Sequence, residues 1–106
     1  MLEMKFPLLR SSIGKKRSLT DIDGEKQYFV ILDEVTRIQS TYSGKILCLQ
    51  LLQFENDKRI ELRLVYYIIG KKPKMKGKWV WGQYASMMPQ KDFQVLIAKA
   101  KKKGWI

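Results

Sequence analysis

The chain has 106 residues, and 21 Lys and Arg against 10 Asp and Glu give a formal charge of +11, so it holds one domain whose surplus charge calls for an anionic partner. It has no histidine and one cysteine, Cys48, which excludes His-based triads, His-ligated zinc and an intrachain disulfide framework and predicts a reducing, intracellular setting, cytoplasm or nucleoid/nucleus. No apolar run approaches the roughly 20 residues of a membrane span, and Met1 to Leu9 is too short and too charged to read as a secretory signal.

Residues 1–25 read as an irregular basic segment and 26–106 as a single α+β domain. Within the segment, Arg10, Lys15, Lys16 and Arg17 lie among serines and a glycine, the composition of a mobile basic arm. Asp23-Gly24 marks a turn. Gln27 to Gln39 is rich in β-branched and aromatic residues and reads as a strand. Tyr42-Ser43-Gly44 is the next turn. Lys45 to Glu55 follows, nearly all apolar in its middle; its neighbours favour a strand over a short buried helix. Asn56-Asp57 supplies a tight turn. Lys58 to Ile69 alternates, with Ile60, Leu62, Leu64, Tyr66 and Ile68 on one face and Arg59, Glu61, Arg63, Val65, Tyr67 and Ile69 on the other. Gly70 to Gly77, GKKPKMKG, is a basic loop that Pro73 and two glycines keep out of either flanking strand. Lys78 to Tyr84 is the fourth strand.

A helix follows. Pro89 suits the first helical turn, where its missing N–H has no partner to lose. Asp92 lies near the positive end of the helix. Phe93, Leu96, Ile97 and Ala100 form one buried stripe. Lys99, Lys101, Lys102 and Lys103 favour the negative end, and Gly104 suits the C′ position, letting Trp105 and Ile106 fold back. Short turns between the strands imply an antiparallel meander. The expected architecture is therefore a curved antiparallel sheet of about four strands covered by a C-terminal helix. Such a sheet leaves an apolar surface or an edge to cover, and a homodimer is one way to cover it.

The charge is not spread evenly: residues 70–106 carry ten lysines against Asp92 alone. If the last two strands pair with an even register sum, odd positions share a face. Tyr67 then lies near Trp79, Val65 near Trp81 and Arg63 near Gln83, while Leu62, Leu64, Tyr66, Val80 and Tyr84 turn towards the helix. One sheet face would display Arg59, Arg63, Tyr67, Trp79 and Trp81, ringed by Lys71, Lys72, Lys74, Lys76 and Lys78. Flat aromatic rings receive unstacked bases at roughly 1–3 kcal/mol per base, and the cations neutralise phosphates and release counterions. A second reading makes Trp79 and Trp81 core residues and the lysine loop a solvated hairpin tip.

From Arg59 to Ala100, GKKPKMKGKWVW followed by a Pro-initiated amphipathic helix resembles the positive-cofactor-four type transcriptional coactivators. That resemblance implies a dimer that binds single-stranded DNA on a curved antiparallel sheet. It also implies contacts from Arg63, Lys76 and Lys78 to phosphate, and from Trp79 or Trp81 to bases. The tryptophan pair and the longer strands depart from the family pattern, and residues 1–57 show no matching motif.

Catalysis needs other groups. A metal-dependent nuclease requires two or three converging carboxylates; Asp57, Glu61 and Arg63 form a broken D…E-x-K pattern with arginine replacing lysine. In the competing reading Asp57 shapes the turn and Glu61 pairs with a neighbouring arginine. Cys48, among leucines and without a histidine partner, reads as buried and inert. No phosphate-cradling glycine motif occurs. The expectation is a non-catalytic nucleic-acid-binding protein with single-stranded DNA as its partner, without catalytic residues, metal, cofactor or membrane contact. The alternatives are a protein-interaction module or inhibitor docking a basic face on an acidic protein, and a small metal-dependent nuclease or resolvase.

Overall fold

The computed structural model describes residues 6–82 and 85–106. Five strands, β1 (Lys16–Thr20), β2 (Lys26–Ile38), β3 (Lys45–Phe54), β4 (Ile60–Ile69) and β5 (Trp79–Trp81), precede one helix, α1 (Gln90–Lys102). The sheet order is β1-β2-β3-β4-β5 and every neighbour is antiparallel, a meander curled into a half-barrel. The class is α+β, as expected, but with five strands rather than four. The additional strand, β1, falls inside the segment 1–25 expected to be irregular. Its sequence, KRSLT, is exposed at every position, so no apolar alternation marks it, and its place comes from backbone pairing with β2. The β1–β2 turn is the one signalled by Asp23-Gly24. The Asp21 carboxylate accepts the N–H groups of Asp23 (2.9 Å) and Glu25 (3.0 Å), and Gly24 takes a φ of +82°. Among the described residues, no helix is long and apolar enough to cross a membrane.

A bulge in β2 decides which side chains share a face. Ile31 pairs with Leu52, but Asp33 pairs with Leu51, so Leu32 is the extra residue. One inserted residue reverses the alternation. Phe29 and Ile31 before the bulge therefore share a face with Glu34 after it, while Val35 and Arg37 turn to the other side.

That other side carries α1. Leu96 and Ala100 are fully buried against Val35, Leu47 and Leu49, with Tyr66, Met88, Ile97 and Trp105 packed around them. Phe93, expected in the buried stripe, is 45% exposed, and Asp92 takes the inward position. Asp92 Oδ1 accepts a 2.9 Å hydrogen bond from Arg37 Nε, and its Oδ2 accepts 3.0 Å bonds from Ser40 N–H and Oγ–H. These bonds hold the first turn one residue round from the apolar stripe. Pro89 stands immediately before the helix as its N-cap residue rather than inside the first turn. Leu62 and Leu64, expected beneath the helix, remain exposed because α1 rests on β2 and β3. The helix closes as expected: Gly104 N–H bonds Lys101 O and Trp105 N–H bonds Ala100 O, with Gly104 at φ +81°. This Schellman arrangement folds Trp105 back onto the core.

The opposite side of the sheet has its own two clusters. Phe29, Ile31, Leu52 and Phe54 fill one end. Ile46, Cys48 and Val65 fill the other, with Leu9, Tyr67 and Trp79 packed on them. The chain before β1 crosses this face. It leaves β2 at the bulge, where Gly14 N–H bonds Ile31 O (2.7 Å) and Ile31 N–H bonds Lys15 O (3.0 Å).

Candidate nucleic-acid interface

β4 and β5 pair with an even register sum, so odd positions do share a face, but the offset differs from the expected one by two. Tyr67 lies opposite Trp81 and Ile69 opposite Trp79, rather than Tyr67 opposite Trp79 and Val65 opposite Trp81. The expected Arg63–Gln83 neighbours and the strand's end at Tyr84 involve residues outside those described. The loop sets the offset. Gly70 N–H bonds Lys78 O (2.8 Å) and Gly77 N–H bonds Gly70 O (3.1 Å), which closes the loop directly after Ile69. Gly70 is required for this closure, since a Cβ there would stand 2.4 Å from Met75 O.

The two tryptophans then have different surroundings. Trp79 is covered by the N-terminal segment: its Nε1–H donates to Pro7 O, Phe6 meets it edge-on at 5.9 Å, and Leu9 packs beside it. Trp81 is 40% exposed. Its ring meets Tyr67 edge-on at 5.4 Å, and the Arg63 guanidinium lies 4.9 Å from its centroid.

Arg63 is held firmly and without a carboxylate. Its guanidinium lies 4.9 Å from the Phe29 ring on β2 as well as from Trp81. Its Nη2 and Nε donate to Gln50 Oε1 at 2.8 and 3.2 Å. Gln50 is fully buried and donates through Nε2 to Glu34 Oε2 at 3.1 Å, and Glu34 Oε1 accepts the Ser12 N–H at 3.0 Å. The β2 bulge makes this chain possible by bringing Glu34 onto the face of Gln50. Burial lowers the Arg63 pKa from its ordinary value, Tyr67 opposes that shift and the neighbouring Arg17 adds to it. The guanidinium nevertheless remains charged at any physiological pH.

A hollow of about 430 Å³ opens between these groups, lined by Ser12, Arg17, Ser18, Arg63, Tyr67 and Trp81 over Ile31. A second, of about 530 Å³, shares Ser12, Arg17 and Tyr67 and extends past Arg10, Lys15, Lys78 and Trp79. Together they form one groove across the face opposite the helix. Among the described residues, none of Arg10, Lys15, Arg17, Arg63 and Lys78 enters an ion pair. Arg10, Ser12, Lys15 and Arg17 were visible in the sequence only as a basic arm; nothing local to them shows that the arm crosses this face.

The remaining expected site residues are distributed differently. Arg59 does not join the groove's free cations: it pairs with Asp57 (2.9 Å) and Glu61 (2.6 Å) beside the β3–β4 turn and covers the Phe54 ring. The broken nuclease pattern is thereby divided, with Asp57 and Glu61 on Arg59 and Arg63 on Gln50. Among the described residues, no group of three or more Cys, Asp or Glu side chains is placed to hold a metal ion. Lys71, Lys72, Lys74 and Lys76 are all exposed. Lys71 and Lys72 border a separate hollow with Tyr66, Ile68 and Val80, which lie on the helix side of the sheet. Cys48 is buried, and burial, helped by the nearby Glu34 charge, pushes its thiol pKa up to about 12.

The chain matches no protein-family model, no curated protein and no solved structure.

Proposed function

We propose that the protein binds single-stranded nucleic acid without catalysing a reaction, and that single-stranded DNA is its partner. The observation that carries this reading is the set of cations without an ion pair among the described residues, Arg10, Lys15, Arg17, Arg63 and Lys78, flanking Tyr67 and the exposed ring of Trp81 in one groove. Like charges gathered without counter-charges repel one another, and a polyanion relieves that repulsion. Phosphates then release condensed counterions, while an unstacked base gains an aromatic surface. In this reading Arg63 and Lys78 contact phosphate, Trp81 stacks a base, and Lys71, Lys72, Lys74 and Lys76 extend the attractive field beyond the groove. The preference for DNA over RNA comes from the resemblance to positive-cofactor-four type coactivators; a homodimer follows from that resemblance and from the sheet edge left to cover, and sedimentation velocity tests it.

The deciding experiment is fluorescence anisotropy with labelled single- and double-stranded DNA and RNA across a salt series. The expected result is tightest binding to single-stranded DNA, with a log–log salt slope of about −0.7 per phosphate contact. Absence of salt-sensitive binding to any oligonucleotide overturns the reading in favour of a basic face that docks on an acidic protein.

A further inference from the structure

We propose that the hollow between Arg17 and Arg63 receives a terminal phosphomonoester of the bound strand, with Trp81 stacking the adjacent base. This rests on the single-strand reading and assigns one end of the groove to one end of the ligand.

Among the described residues, the unpaired cations carried by the strands of this face end at Arg17 and Arg63. From Lys78 the groove passes Lys15 and Arg10 and reaches Arg17 and Arg63. Beyond them on this face, towards the β3–β4 turn, the next cation is Arg59, and it is already neutralised by Asp57 and Glu61. A strand following the attractive potential has reason to enter at Lys78 and none to continue past Arg63.

The end point also has the chemistry for a dianion. An internal phosphodiester carries one negative charge, whereas a terminal phosphomonoester carries between one and a half and two, roughly, at pH 7. Two guanidiniums line the same hollow, and guanidinium forks match phosphate oxygens in pairs. Arg63 is pre-positioned between Phe29 and Trp81 with Gln50 behind it, so little rotamer freedom remains to be lost on binding. The Ser12 and Tyr67 hydroxyls, 3.5 Å apart, border the same hollow and add neutral donors. Glu34, the acid behind this cluster, is engaged by Ser12 N–H and the Gln50 amide, and Gln50 stands between it and Arg63. Arg63 therefore presents its charge without a directly bonded carboxylate.

The test compares oligothymidylates of one length that carry a 5′-phosphate, a 3′-phosphate or hydroxyls at both ends, with thymidine monophosphate as competitor. One phosphorylated end is expected to bind about tenfold more tightly than the hydroxyl-ended strand, the value of a modest charge-assisted contact. Thymidine monophosphate is expected to compete far more weakly than that oligonucleotide, because it leaves the rest of the groove empty. Arg17 is exposed, so Arg17→Gln preserves the fold, confirmed by its circular dichroism; as a groove cation its loss weakens every strand, but it is expected to weaken the phosphorylated one about tenfold more and so erase the preference. Equal affinity for all three ends overturns the proposal and leaves the single-strand reading standing. Competition by thymidine monophosphate equal to that of the phosphorylated oligonucleotide also overturns it, in favour of a mononucleotide site. Failure of every oligonucleotide to bind removes both readings together.

Discussion

Asp92, in the first turn of α1, and Arg37, on β2, form a 2.9 Å ion pair whose carboxylate is wholly shielded from solvent. It anchors the helix to the sheet across 55 residues of sequence, and Ser40 completes the carboxylate's hydrogen bonding. An acid at this position was expected to favour the helix dipole. Its larger contribution is to fix which side of the helix faces inward.

The pair gives stability a defined acid dependence. Burial pushes the Asp92 pKa up, but the bonds from Ser40 and Arg37 together outweigh it, and the carboxyl sits below its ordinary 3.8. Asp33, held by Lys103, is shifted the same way. A folded-state pKa below the unfolded one contributes stability that is complete above the unfolded value and lost as pH falls through the folded value. Thermal melts should therefore give a midpoint that holds between about pH 5 and 7 and drops below about pH 4. Asp92→Asn should lower the neutral-pH midpoint by about 5 °C or more and reduce the acid dependence. A variant as stable and as acid-sensitive as the parent would show that the pair does not anchor the helix.

The thiol of Cys48 gives a second check on the sheet. At a pKa of about 12 and no measurable exposure, it holds almost no reactive thiolate near neutrality. Iodoacetamide should leave the native protein unmodified at pH 8 and label it fully in denaturant, by intact mass. Rapid native labelling would mean that β3 is not the buried centre of the sheet.

β2, β3, β4 and α1 were legible because apolar periodicity and turn residues agree along those stretches. What escaped the sequence depends on partners far along the chain. KRSLT looks like a loop because its strand character comes from β2. The bulge at Leu32 is hidden because FVIL is apolar throughout, so no break in alternation shows where one residue is extra. The β4–β5 offset follows from loop closure at Gly70, which two-residue parity does not fix. The face carrying Arg63 and Tyr67 could be read from alternation. That Glu61 pairs with a neighbouring arginine was one of the two readings of the sequence; that Asp57 joins it on Arg59, and that Arg17 joins Arg63, required the folded arrangement.

The groove cations make a quantitative prediction about salt. Lys15 and Lys78 line it, both exposed and, among the described residues, without an ion pair. Each phosphate contact on a single strand contributes about 0.7 to the log–log slope, so Lys15→Gln with Lys78→Gln should flatten it by about 1.4. Lys71→Gln with Lys72→Gln removes equal charge beside the hollow on the helix side and should change the slope less. Equal flattening by the two pairs would show that overall charge, rather than the groove, directs binding.

Trp79 and Trp81 stand two residues apart on one face and should separate cleanly by substitution. Trp81 is exposed, and its ring bears on Tyr67 and Arg63. Trp81→Ala should weaken single-strand binding by about 1–3 kcal/mol with little change in thermal midpoint. Trp79 holds the N-terminal segment through Pro7, Phe6 and Leu9. Its removal should cost folding stability, by about 2 kcal/mol or more, because three separate contacts are lost at once. Fluorescence gives an independent measure, since Trp105 is packed against the helix core and supplies a steady background. Saturating single strand should quench the emission of the parent and of Trp79→Ala, and quench Trp81→Ala much less. If Trp81→Ala binds and quenches like the parent, the stacking surface is not on β5; if Trp79→Ala alone loses binding while keeping its stability, the strand displaces the N-terminal segment and stacks on the ring beneath it.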